Sequence, residues 1–201
     1  MSKLKYTKNE LKAQRDGLTR FERYLPTLLL KKQQLQIEVR QLESRLAEKD
    51  SEARQLEESM SAWVKLFSEP FDFVAHLKVA EVRRTTGNIA GVNIPVLQDV
   101  IFNRTLPDLL DTPPWVDDAL DALERMLRLR AERHVLEEQL RLLDDELRVT
   151  SQRVNLFEKV KIPEARNNIR VIRIFLGDQQ TAAVARSKIA KGKSIEKARS
   201  A

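Results

Sequence analysis

The sequence predicts a mainly α fold: a long antiparallel two-helix coiled coil made by the N- and C-terminal helices, with a short β-hairpin and short-helix region at the turnaround end. Three observations predict it. Two apolar seams with heptad phasing run through the two halves of the 201 residues. Charged residues make up 33% against 5% aromatic, a balance that suits narrow helical seams rather than a thick core. Between the seams lies an uncharged stretch, TTGNIAGVNIPVL at 85–97, whose second half alternates with period two.

The first seam steps by three and four residues through Leu11, Gln14, Leu18, Phe21, Leu25, Leu28, Lys32, Leu35, Val39, Leu42, Leu46, Lys49, Ala53, Leu56, Met60, Trp63 and Phe67. A 3.5-residue repeat keeps one stripe turned toward a partner helix, so residues 11–67 read as one coiled-coil strand. Its polar members, Gln14, Lys32 and Lys49, are of the kind that fix register. At 1.5 Å per residue such a helix is about 85 Å long, which no compact domain of this size accommodates.

The middle segment, 68–114, changes character. Residues 77–84 and 89–97 flank a Thr-Gly-Asn turn, which predicts a hairpin. Ala90, Val92, Ile94 and Val96 alternate with Gly91, Asn93 and Pro95, and the proline assigns that strand to an edge. LPDLLDTPP, 106–114, predicts a short helical turn and a proline stop.

The second seam runs through Trp115, Ala119, Ala122, Met126, Leu129, Arg133, Leu136, Leu140, Leu143, Leu147, Thr150, Val154 and Phe157. Thr112 as cap, Pro113 or Pro114 in the first turn, and Asp117 and Asp118 at the positive end of the dipole predict its start. Past Phe157 the phase slips by about one residue, to Ile162, Ala165, Ile169, Ile172 and Leu176, with Pro163 at the slip. Paired antiparallel, the two helices should match residues whose numbers add to about 182. Pro26 then lies opposite residue 156, within about two turns of Pro163, and the two prolines are candidate bend positions. The expected segments are 1–67, 68–114, 115–185 and a basic tail, 186–201.

Net charge is +6, and it is concentrated at the ends. Residues 1–23 carry seven Lys/Arg against three acids, and residues 186–201 carry six against one. In the paired arrangement both basic ends fall at one tip. There is no cysteine, which excludes disulfides and thiolate metal sites. No apolar run is long enough to span a bilayer, and the N-terminus lacks the apolar core of a secretory signal, so a cytoplasmic protein is expected. Gly-rich phosphate loops, nucleophile elbows and metal-spaced His/Cys sets are missing from the sequence. His76 and His134 read as boundary or surface residues. The adjacent pairs Asp117–Asp118 and Asp144–Asp145 diverge by about 100° on a helix, unlike convergent acid/base carboxylates. No catalytic, cofactor-binding or metal-binding residue is expected. The residues alone leave two readings open: a generic coiled-coil adaptor or scaffold, and a nucleic-acid-associated protein using its basic ends.

Three stretches, in order and at the right spacing, resemble the D subunit of the A/V-type rotary ATPases and ATP synthases. LLLKKQQL, 28–35, is similar to that family's Leu-Leu-Lys-x-Lys-x-x-x-Leu run, and NIAGVNIP, 88–95, to its Asn-x-Ala-Gly-Val-x-Ile/Leu-Pro. RVNLFEKVKIPEARNNIRVIRIFL, 153–176, is similar to its Arg-Val-Asn-Ala-Leu-Glu run followed by Val-x-Ile-Pro, Ile-x-x-Ile and Leu. The resemblance covers roughly 8–191. Departures are Leu156 and Phe157 in place of Ala-Leu, and Gln179 and Gln180 where acids are common.

The resemblance implies a non-catalytic central-stalk component, a rotor shaft with no cofactor and no nucleotide site. It would stand in a hexamer of alternating catalytic and regulatory subunits, assemble with the small F subunit of the same complex, and dock on a funnel-shaped subunit above the proteolipid ring. It would be cytoplasmic and peripheral to the membrane, with no nucleic acid among its partners. Candidate ring contacts are Lys3, Lys5, Lys8, Lys12, Arg186, Lys188 and Lys191. The candidate hairpin end comprises Asn88, Ala90, Gly91, Val92, Ile94 and Pro95, offered to a neighbour or simply closing the turn.

Overall fold

The computed structural model describes residues 4–61, 65, 69, 71–107 and 112–199, with backbone only for 196–199. Helix α1 spans Lys8–Met60, a short α2 Phe73–His76, strands β1 Leu77–Ile89 and β2 Val92–Arg104, and helices α3 Trp115–Leu156 and α4 Ile162–Arg199. A π-helical turn, Phe157–Lys161, joins the last two. The chain divides into two compact units, residues 31–149 and residues 1–30 with 150–201.

Helix α1 opens on a cap. The Thr7 hydroxyl accepts from the Glu10 N–H at 3.2 Å, satisfying one of the donors that a first turn leaves unpaired. Every described member of the first seam, Leu11 through Met60, is buried or half-buried. The helix ends at Met60 rather than continuing to 67. Ser59 and Ser61 donate their hydroxyls to the carbonyls of Leu56 and Glu58 at 2.7 Å, local bonds that compete with further helical turns. The seam positions Trp63 and Phe67 lie outside the described residues, as do residues 108–111 of the expected short turn.

In the unit formed by 31–149, α1 and α3 run antiparallel. Lys49 meets Glu132 at 3.0 Å and Lys31 meets Glu146 at 2.6 Å. Asp50 faces Arg133 at 3.1 Å. Lys49 with Glu132 adds to 181, close to the register expected from the seams. Lys49 is thus a cross-helix tie, and Glu146 pairs with Lys31, the neighbour of the seam residue Lys32.

The β-hairpin lies back along these helices. Ile94, Leu35, Val39, Leu42 and Leu143 form one buried cluster, against which Ile89, Ala90 and Val92 pack. Leu77, Val116 and Leu120 form a second, with Phe71, Phe73, Phe102 and Trp115 around it. The base is pinned where Arg104 pairs with Asp121, while the tip shares a cluster with Leu143. The roughly ten residues from Ile94 to Arg104 cover about 33 Å as strand. The roughly 22 residues from Asp121 to Leu143 cover about the same length as helix. The two lengths match, so the ribbon tracks α3.

This second contact explains two departures from the seam. Helix α3 is apolar on two faces over its first half: Val116, Leu120 and Val135 are buried although the heptad phase omits them. Arg133, assigned to the seam, stands exposed and pairs with Asp50 and with Glu137 at 3.0 Å. The turn also sits elsewhere than expected. Ala90 and Gly91, with φ of 50° and 81°, make the connection, and Thr86, Gly87 and Asn88 belong to β1 opposite Pro95, Ile94 and Asn93. Two successive positive φ values match the twist of the flanking strands better than an ordinary turn does. Alternation holds at Val92 and Ile94 but fails at Val96, which is exposed; a register shift follows it, between Leu97 and Asp99, opposite Arg84 and Arg83.

In the other unit, Phe21 meets Phe157 with ring centroids 5.1 Å apart, and Tyr6 meets Phe175 at 5.0 Å. Glu22 pairs with Arg166 at 2.7 Å, and Gln14 accepts from Asn168 at 3.5 Å. These pairs again run antiparallel, and Tyr6 with Phe175 adds to 181. Val154, Ile162, Ala165, Ile169 and Ile172 are buried. The π-helical turn supplies the phase slip read in the sequence. Its closing bond runs from the Ile162 N–H to the Phe157 carbonyl, five residues back. One extra residue is therefore absorbed while Phe157 and Ile162 remain on the same stripe.

Candidate interaction surfaces

The predicted tip cations are solvent-exposed wherever they are described. Lys5, Lys8, Lys12, Arg186, Lys188 and Lys191 are all exposed, and none has an ion pair among the described residues; Lys3 lies outside them. They form two groups rather than one. Tyr6 lies beside Phe175, so α4 runs on past the start of α1. Arg186 and Lys191 stand about 16 and 24 Å further along the helix than Phe175. The whole stretch 177–195 is exposed.

Pro26 sits inside α1 without ending it, and Pro163 is the second residue of α4. Proline at 163 cannot donate and its ring presses on the carbonyl four residues back. That carbonyl lies within the widened turn at Phe157–Lys161.

At the hairpin end, Asn88 organises the turn. Its carboxamide oxygen accepts from the Gly91 N–H at 3.1 Å, and its amide nitrogen donates to the Asn93 side chain at 2.8 Å. Ala90, Val92 and Ile94 turn toward α1 and α3, so these residues are core. Pro95 offers its carbonyl to the Gln139 side chain, which is buried in α3. The heptad reading missed Gln139, and it also missed Arg84, which reaches Glu138 at 3.3 Å. A polar residue on the second apolar face of α3 was the available signal.

A further surface has no counterpart among the sequence expectations. Arg15 on α1 and Arg166, Arg170 and Arg173 on α4 line a groove of about 670 Å³, floored by Leu18, Ile169 and Ile174. The spacing of the three α4 arginines at i, i+4 and i+7 was visible in the sequence and puts them on one helix face.

Nothing among the described residues gathers catalytic groups. No cluster of His, Asp or Glu there could hold a metal ion. His76 packs flat on Phe71, with Nδ1 3.2 Å from the Thr105 carbonyl oxygen. His134 is exposed, Asp117 and Asp118 lie in the first turn of α3, and Asp145 pairs with Arg148 at 3.2 Å. No helix among the described residues is long and apolar enough to cross a membrane.

Long antiparallel helices with a β-ribbon packed against α1 and α3 define a mainly α, coiled-coil protein. The sequence model of the ATP synthase D-subunit family matches residues 10–192, and the chain belongs to that family. It is 50% identical over 199 residues to the V-type ATP synthase D subunit of Borreliella burgdorferi, covering 99% of this chain and 98% of that one. It is 38% identical over 200 residues to the protein of the same description from Chlamydia pneumoniae (98% and 96%). With that from Chlamydia abortus it shares 37% over 195 residues (96% and 94%).

Proposed function

We propose that the chain is the central rotor shaft of a V-type ATP synthase or ATPase. It turns within a hexamer of alternating catalytic and regulatory subunits and carries torque between ATP chemistry there and ion movement through a membrane ring. One observation carries this reading: the likeness to the D subunits of V-type ATP synthases runs over nearly the full length of both chains, hairpin included, rather than over heptads alone. The geometry is compatible with the task. Helices tied across by Lys49–Glu132 and Glu22–Arg166 resist sliding and twisting better than a single helix would.

The small F subunit and the funnel-shaped subunit on the proteolipid ring are its further partners, and it works on the cytoplasmic side, peripheral to the membrane. Pro26 and Pro163 bend the paired helices so that each rotary angle presents a different face to the ring. Lys3, Lys5, Lys8, Lys12, Arg186, Lys188 and Lys191 touch the ring. Exposed pairs worth under about 1 kcal/mol each hold a rotor in place without locking it. Alanine at all seven should weaken docking into the hexamer and lower coupled ATPase, with the helical circular dichroism unchanged. Unaltered docking and ATPase rate would refute the ring contact, and failure of the unmodified chain to co-purify with a hexamer would refute the rotor.

A further inference from the structure

The arginine groove points to a specific kind of partner. Arg15 approaches from α1, and Arg166, Arg170 and Arg173 from α4. Glu22 neutralises Arg166 at 2.7 Å. Arg15, Arg170 and Arg173 have no ion pair among the described residues, and all three are exposed. Like charges three or four residues apart on one helix repel one another, so this face is unfavourable until an anion meets it. The floor is apolar: Ile169 is buried, Leu18 is half-buried, and Ile174 is 55% exposed. A sugar-phosphate backbone would use the cations and leave that floor uncovered, and no aromatic side chain lines the groove to stack on a base.

We propose that this groove receives an acidic protein segment, presenting two or three carboxylates to Arg15, Arg170 and Arg173 and one aliphatic side chain to Leu18, Ile169 and Ile174. Guanidinium groups take carboxylates in paired hydrogen bonds, which gives such a contact direction as well as charge. The inference rests on the rotor reading only for where the segment comes from: a component of the surrounding hexamer. The surface differs from the lysine tip, since it combines fixed planar donors with an apolar seat.

Two measurements on the full chain test it. The first uses a helical peptide carrying Glu at i, i+3 and i+7 and one central Leu, titrated onto the isolated protein. The triple variant Arg15→Glu/Arg170→Glu/Arg173→Glu should bind it roughly tenfold or more weakly, the sum of three exposed pairs. Arg15→Lys/Arg170→Lys/Arg173→Lys keeps the charge and should fall between the two, because the paired bonds are lost. Equal peptide binding by wild type and the Glu variant would overturn the proposal. So would tighter binding of duplex DNA than of peptide at about 0.15 M salt. Circular dichroism reports whether each variant stays helical; if the Glu variant unfolds, the Lys variant carries the test, and wild-type affinity in it overturns the proposal.

The second measurement is docking into a reconstituted hexamer. Loss of docking in the Glu variant supports the assignment of the segment to the ring. A wild-type chain that binds the peptide but no hexamer refutes the rotor and leaves the groove's specificity standing. A Glu variant that docks like wild type overturns the assignment to the ring.

Discussion

Gly91 carries a φ of 81° with nothing within 4 Å of the place a Cβ would occupy. Its substitution therefore isolates backbone strain from crowding. Gly91→Ala should destabilise the protein by about 1–2 kcal/mol, the cost of holding an L-residue in the left-handed region. Urea unfolding measures it, and an unchanged midpoint would show that the turn rearranges freely. Ala90 already bears such strain at φ 50°, and its methyl group packs beside the buried cluster of Leu35 and Leu143. The opening of the hairpin is thus held by tertiary packing together with the side-chain bonds of Asn88. Lys49 offers a different test. Hydrogen bonds to Glu52 and then Glu132 raise its pKa above the usual 10.5. A cation stabilised in the folded state contributes fully below the unfolded value and loses that contribution as pH rises through the higher folded value. Its side chain is about a third exposed, so solvent screening keeps the contribution within about 1 kcal/mol. Lys49→Met should be destabilised relative to wild type below about pH 10, and the gap should narrow as pH rises past 10.5. A gap that widened there would reverse the sign and refute the assignment.

At the scale of elements, the π-helical turn separates two causes that coincide in the sequence. One is the extra residue between Phe157 and Ile162, and the other is Pro163. If the extra residue sets the turn, Pro163→Ala should keep the closing bond from Ile162 to Phe157 and stabilise the protein by up to about 3 kcal/mol. Deleting Val160 should convert the turn to regular α-helix with the stripe still in phase. A structure of each variant, with thermal unfolding, decides, and a proline-free variant that reverts to α-helix would overturn the first cause. The heptad phase was legible for both long helices because 3.5-residue spacing in the chain maps directly onto one buried stripe. Antiparallel register was legible too, since two seams of similar length have one simple way to align. The position of the hairpin was not. Period two identifies strands but says nothing of which helix face they meet. The second apolar face of α3, Val116, Leu120 and Val135, breaks heptad phase and is visible only to a count that admits two stripes. The turn was displaced because Thr-Gly-Asn carries a strong turn composition, whereas tertiary packing placed the reversal at Ala90–Gly91.

At the scale of the whole molecule, stability should be uneven. Residues 31–149 contain two apolar clusters fed by helices and strands together. Residues 177–195 are exposed along their entire length, and a lone helix of that size is marginal in water. Native-state hydrogen exchange should find amides near Leu35, Leu120 and Leu143 the slowest and those beyond Gly177 the fastest, by several orders of magnitude. Equal protection in the two regions would show that α4 has a partner of its own. The candidate surfaces were legible in part. Clustered lysines announce themselves by composition, but the arginine groove needed two distant segments, around Arg15 and Arg170, to be brought side by side. That same division of the chain orders events during synthesis. Residues 1–30 belong to one compact unit with residues 150–201, which are made last. A ribosome adding about 5–20 residues per second leaves Leu11, Leu18 and Phe21 waiting for roughly 6–24 seconds while the intervening unit emerges. In that interval the nascent chain displays an apolar stripe whose partner helix has not yet been made.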